Sequence, residues 1–194
     1  MANGNTPMTD HSKRLIVTVF AGPNGSGKST ITLGYRISGS YVNADEIKKE
    51  YQLSDLEAAQ RAESQRNTLL NSLSDFAFET VLSTDRNLLL LQRAKEYAYE
   101  VQCIYVLTCD VNINVARVRD RVADGGHDVP EEKIRTRYVR CLEILPRLID
   151  VCDKIAVYDN SDRPALIFSK EDGRSKIFPN KYWPNEALLK LLRL

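Results

Sequence analysis

Residues 15–30 read LIVTVFAGPNGSGKST, an apolar run that stops at a glycine-rich turn. A continuous apolar run of this kind is what a strand buried in a parallel sheet requires. Gly22 through Ser29 match the spacing G-x-x-x-x-G-K-[ST], after a predicted strand and before a predicted helix. In that context the residues Gly22, Pro23, Asn24, Gly25, Ser26, Gly27, Lys28, Ser29 and Thr30 form a phosphate cradle. The glycines let backbone amides wrap a β-phosphate, Lys28 reaches the β and γ oxygens, and the Ser29 hydroxyl ligates Mg²⁺ at a helix N-terminus. The ligand read from the motif is therefore a nucleoside triphosphate, ATP or GTP, with Mg²⁺.

The rest of the chain alternates strand and helix. YVNADEI (41–47) predicts a short second strand that delivers Asp45 at its end. A helix follows from Ser54, opened by Ser54 and Glu57 as a capping box, with Leu56, Ala59, Ala62, Leu69, Leu70 and Leu73 on one stripe. DFAFETVLS, VQCIYVLTCD and DKIAVYDN predict further strands, and a helix lies between the first two. An amphipathic helix carries Val111, Val115, Val118 and Val122, and a second from Pro130 carries Ile134, Tyr138, Cys141 and Leu145. Asp110 reads as the cap of the first of these. Asp172-Gly173 between two apolar runs predicts a hairpin, and NEALLKLLRL a closing helix. The pattern is that of an α/β P-loop NTPase fold, an open parallel sheet with helices on both faces and a short C-terminal β-hairpin. Residues 1–12 read as a flexible tail and 13–194 as a single domain.

Composition narrows the partners. The 194 residues hold 27 Lys and Arg against 26 Asp and Glu, a net charge of +1. That balance argues against nucleic acid as the main partner, because phosphate-backbone binding leaves a basic surface. No stretch approaches the roughly eighteen apolar residues of a membrane span, and the start lacks an apolar signal core. A cytoplasmic protein with four reduced cysteines is the expectation, and their spacing gives no zinc site.

Several side chains carry candidate chemistry. Asp45 is placed to act as a base for an acceptor hydroxyl or as an outer ligand of Mg²⁺, or else it caps the following helix. Glu79 interrupts a strand otherwise fit for burial, which favours a carboxylate facing a ligand cleft over one at a solvent edge. Arg117 and Arg121 precede Gly125-Gly126, and Arg137 and Arg140 follow Pro130, so two arginine-bearing helices flank a flexible joint. This is the architecture of a helical lid over about 117–140, closing positive charge over a γ-phosphate. His127 stands at the joint, either on phosphate or packing the hinge. An ABC-type motor is excluded, since the chain has neither an LSGGQ-like signature nor an aliphatic run ending in Asp-Glu.

GPNGSGKST (22–30), NADE (43–46), FETVLS (78–83), RVRDRVADGGHDVP (117–130), RYVRCLEIL (137–145) and YDNS (158–161), taken in order, resemble the zeta-toxin-type P-loop kinases, in particular a compact branch described as ABC-type ATPases. The resemblance implies a nucleotide-kinase-like sheet and transfer of the γ-phosphate to the 3′-hydroxyl of the aminosugar in UDP-N-acetylglucosamine, a nucleotide-sugar substrate. It implies Asp45 as general base, Lys28 as phosphate clamp, Glu79 with Thr80 on the substrate side, Arg121 and Arg137 as catalytic lid arginines, and Asn160 near the nucleotide base. It also implies a separate antitoxin protein. Longer family members read Glu-Gly-Thr where this chain has Glu79-Thr80-Val81. Two other readings share the motifs: a kinase of a nucleotide, a metabolite or a polynucleotide end, and an ATPase switch acting on a protein.

Overall fold

The computed structural model describes residues 14–193, so the flexible-tail expectation for 1–12 lies outside the described residues. One mixed sheet organises the chain. In chain order the elements are β1 Ile16–Ala21, α1 Lys28–Thr32, β2 Ser40–Val42, α2 Ala44–Tyr51, α3 Asp55–Asn71, β3 Phe76–Thr80 and α4 Asp85–Glu96. They continue as β4 Glu100–Leu107, α5 Val111–Ala123, α6 Glu131–Val151, β5 Lys154–Asp159, β6 Ala165–Glu171, β7 Arg174–Ile177 and α7 Asn185–Leu192. The strand order is β2-β3-β1-β4-β5-β6-β7, parallel through β5 and antiparallel from β5 to β7.

Because β1 connects leftward to β2 while β3, β4 and β5 step rightward, right-handed crossovers put α1 on one face and α3, α4 and α6 on the other. The burial of the strands follows from that split. Val17, Val19, Cys103, Tyr105, Ile155 and Val157 lie in the main core with Leu91 of α4, Leu145 and Leu148 of α6 and Leu188 of α7. Their neighbours Ile16, Gln102, Ile104, Lys154, Ala156 and Tyr158 stay half-buried. The continuous apolar runs suggested burial on both sides, but α1 is only 5 residues long and covers little of its face. Past it, Leu33 is 87% exposed.

Local choices match the sequence in most places. The Ser54–Glu57 capping box is formed, Asp110 caps α5 by accepting from Asn112 N, and Val111, Val115 and Val122 pack around Val118. Asp172 and Gly173 turn the β6–β7 hairpin with φ of 49° and 73°, as a tight primed turn demands. Two expectations are corrected. The second strand ends at Val42, where Asn43 caps α2 through its side chain, so Asp45 is the second residue of a helix rather than the end of a strand. On α3 the buried stripe is Ala58, Ala62, Arg66 and Leu70, while Leu56 is 68% and Leu73 50% exposed. Spacing by four residues set the phase there, not the leucines.

Among the described residues no helix is long and apolar enough to cross a membrane. No cluster of metal-ligating side chains occurs among them either, and the four cysteines are free.

Candidate active site

The loop after β1 is shaped by what presses on it. A Cβ on Gly22 would sit 2.0 Å from Val106 O, and one on Gly27, whose φ is 86°, would sit 2.3 Å from Asn160 Nδ2. Only glycine is accommodated at both positions. Three side chains then hold the loop from outside. Asn114, fully buried on α5, donates to Asn24 O at 2.6 Å and accepts from Thr108 Oγ1. Asn160 donates to Ser26 O at 2.8 Å, and Arg117 in turn donates to Asn160 O at 2.8 Å. Asn160 therefore packs against the phosphate loop itself, and Arg117 braces it from behind. Arg137 reaches Asn24 Oδ1 at 3.3 Å.

The loop interior keeps polar groups free. Ser26 Oγ is buried without a hydrogen-bond partner, and the first-turn amides of α1 have no intrahelical acceptors. Lys28 is buried, with its ammonium on Gly22 O at 2.9 Å and Pro23 O at 3.2 Å, and 3.9 Å from Glu79 Oε1. Burial holds its pKa below the ordinary lysine value, and Glu79 is the largest influence in the other direction. An orphaned hydroxyl, unpaired amides and a buried ammonium make a nest for a polyphosphate. Ser29 and Thr30 are exposed at its lip.

In front of the loop lies a cleft of about 770 Å³. Lys28, Asp45, Glu79, Arg117, Arg121 and Arg137 all line it. Asp45 presents an exposed carboxylate from the first turn of α2. Glu79, half-buried at the end of β3, accepts from Tyr41 OH at 3.4 Å, and burial pushes the Tyr41 phenol up to about 12. Thr80 lines the cleft, but its Oγ1 is already engaged, accepting from Leu82 N at 3.0 Å and Asn87 Nδ2 at 2.7 Å. Beneath the floor the Cys141 thiol donates to Val81 O. Burial pushes that thiol up to about 12, so it packs rather than reacts.

The lid elements do not all converge on the cleft. Arg121 donates to His127 O at 2.7 Å, and Gly126 N closes back on Arg121 O, so the Gly125-Gly126 joint is a tight helix end. His127 lies 3.6 Å from Asp55 on α3 and 3.3 Å from Lys48 on α2, and it does not line the cleft. Arg140 is exposed and does not line the cleft. Sequence reasoning passed over Asn114 and Arg66. A fully buried asparagine after a strand is a signal only once its partner loop is known. The arginine stood at four-residue spacing from Ala58 and Ala62, which the reading by leucines obscured.

Compared with models of known protein families, the chain matches none. It is 29% identical over 125 residues, 61% of this chain and 89% of the other, to an uncharacterized protein of Haemophilus influenzae. Among solved structures it is similar to the AvrRxo1-ORF1:-ORF2 complex with ATP, with a TM-score of 0.72 and 14% identity over 93% of this chain. The chain spans 64% of that structure's length. It is also similar to the PezAT toxin–antitoxin system of Streptococcus pneumoniae, with a TM-score of 0.57 and 19% identity over 97% of this chain and 82% of that one. At such identities the shared property is the fold, and it is a P-loop kinase-like fold.

Proposed function

We propose that this chain is a phosphotransferase that uses ATP and Mg²⁺ to phosphorylate a hydroxyl of a nucleotide sugar, with UDP-N-acetylglucosamine as the favoured acceptor. One observation carries the reading: the Lys28 nest, the Asp45 and Glu79 carboxylates and the Arg121 and Arg137 guanidiniums line a single cleft. The likeness to the AvrRxo1 complex with ATP and to the PezAT system supports it and adds a toxin acting with a separate antitoxin protein.

The shared cleft supports the following division of labour. The loop amides and Lys28 hold the β and γ phosphates. Asp45, an exposed carboxylate, takes the proton of the acceptor hydroxyl as that oxygen bonds to the γ-phosphorus and the bond to the β,γ-bridging oxygen breaks, releasing ADP. Arg137 and Arg121 offset charge on the transferring group, and Glu79 orients the acceptor through its remaining oxygen. The exposed Ser29 hydroxyl at the lip of the phosphate loop would hold Mg²⁺, an ion that keeps most of its waters. When bound there, Mg²⁺ would supply positive charge to offset that of the phosphates, with the Ser29 hydroxyl as its protein ligand. Asn160 holds the P-loop at Ser26 and so supports the nucleotide from beneath.

The test is transfer of label from γ-labelled ATP to a panel of UDP-sugars, nucleotides and oligonucleotides. The expected result is label on UDP-N-acetylglucosamine, abolished by Lys28→Ala and lowered about 10²-fold by Asp45→Asn with ATP affinity kept. Label only on another acceptor would replace the sugar. Label only as free phosphate, indifferent to every acceptor, would make the protein an ATPase switch.

A further inference from the structure

Helix α3 breaks its own pattern at one position. Its buried stripe runs Ala58, Ala62, Arg66, Leu70, and Arg66 is 7% exposed. Arginine is rarely buried to this degree without a partner, because an unpaired buried charge is costly. Among the described residues Arg66 makes no ion pair, and its Nε is buried without a hydrogen-bond partner. Its guanidinium leans over the Phe78 ring at 5.2 Å, which aligns the plane without neutralising it.

The surroundings offer Arg66 the charge of Glu63, without an ion pair, and Arg86 opposes it. Glu63, one turn before Arg66, is held by Arg86 at 2.9 Å. Arg93 is bound only to neutral amides, Asn67 Oδ1 at 2.9 Å and Asn71 Oδ1 at 3.4 Å. Three guanidiniums thus share one cavity with a single carboxylate. Arg66 and Arg86 line the main cleft, and both also line a second cavity of about 300 Å³ between α3 and α4, where Arg93 joins them. Ala59 and Ala62, on the same helix, line the main cleft together with Arg66.

We infer that Arg66, with Arg86 and Arg93 beside it, forms a second anion-binding subsite that receives a phosphate carried by the acceptor. The nucleotide's own phosphates are assigned to the loop around Lys28, none of whose residues lines the second cavity. A planar guanidinium with free donors and a packed stem is suited to bidentate phosphate recognition. This deepens the phosphotransferase reading and rests on it only for calling the ligand an acceptor. It assigns Arg66 the selection of phosphorylated over neutral acceptors.

The experiment saturates the protein with a non-hydrolysable ATP analogue and Mg²⁺, then titrates inorganic pyrophosphate. The native chain should bind pyrophosphate, and Arg66→Met, which keeps the stem over Phe78, should weaken it roughly tenfold or more with analogue affinity unchanged. The exposed Arg86→Met, which does not endanger folding, should weaken it as well. Absent pyrophosphate binding in the native chain, or equal binding in both variants, overturns the subsite. In transfer assays Arg66→Met should raise KM for a UDP-sugar and leave KM for the free sugar unchanged, and a native enzyme that uses both acceptors with equal KM overturns it too. Pyrophosphate binding that depends on Arg66 without any transfer would uphold the subsite and defeat the phosphotransferase reading.

Discussion

The Lys28 ammonium stands 3.9 Å from the Glu79 carboxylate, and both side chains are largely withdrawn from solvent. Burial lowers the lysine's pKa, and Glu79 is the strongest influence raising it. The ammonium is charged below its folded pKa and neutral above, so polyphosphate binding should fail as pH rises through that value. Glu79→Gln removes the main support of the charge. The alkaline limb of ATP affinity, measured by titration as pH is raised, should therefore shift to lower pH in the variant. A limb at the same pH in both proteins would show that Glu79 does not control Lys28.

The phosphate loop is held by a relay from Arg117 through Asn160 to Ser26, with bonds of 2.8 Å at both steps. Arg117→Ala should weaken ATP binding about tenfold, the worth of a charge-assisted hydrogen bond, with an unchanged circular dichroism spectrum. Gly27→Ala should be far more severe, since its Cβ would meet Asn160 Nδ2 at 2.3 Å on a backbone at φ 86°. The double variant Gly27→Ala with Asn160→Ala should recover only part of the loss, because the backbone strain remains. Full recovery would place the whole penalty in the side-chain clash.

These relationships divide what the chain shows as sequence from what it conceals. The phosphate loop was legible because its chemistry is local: strand, glycines, lysine and hydroxyl are consecutive. The helix caps Ser54 and Asp110 and the Asp172-Gly173 turn were legible for the same reason. Asp45 was read on the wrong element because Asn43, two residues earlier, competes for the chain with a helix cap. The bond from Asn114 to Asn24 spans ninety residues, and the solitude of Arg66 is a property of its neighbours in space. His127 carried a motif position, yet α2 and α3 capture it through Lys48 and Asp55.

Thr80 gives a case where support and contact make different predictions. Its hydroxyl oxygen accepts from Leu82 N and Asn87 Nδ2, and Leu82 is a buried residue at φ 55°. Thr80→Val keeps the shape but strands the Leu82 amide, which should cost about 1–3 kcal/mol in urea unfolding and raise the acceptor KM by loosening 81–84. Thr80→Ser keeps the oxygen and should restore both. Restored stability with a persistently raised KM would instead point to direct contact between the threonine methyl and the acceptor.

Asp153 ties the far end of the sheet and sets an acid limit. Its Oδ2 accepts from Val101 N at 2.8 Å at the start of β4, and its other oxygen pairs with Lys95 at the end of α4. Burial alone would raise its pKa, but the bonds from Lys95 and Val101 outweigh that and hold it below the ordinary aspartate value. A carboxylate with a depressed folded pKa contributes stability above its unfolded pKa and loses it as pH falls through the folded one. Asp153→Asn keeps an acceptor for Val101 but discards the charge. It should lower the urea midpoint at neutral pH, and the gap to the native chain should narrow as pH falls from the ordinary aspartate pKa of about 3.9 towards the lower folded value, where the native carboxylate also becomes protonated. A gap that persists unchanged at about pH 3 would mean that the asparagine disturbs packing at the β4 entrance, and the charge of Asp153 would have no part in stability.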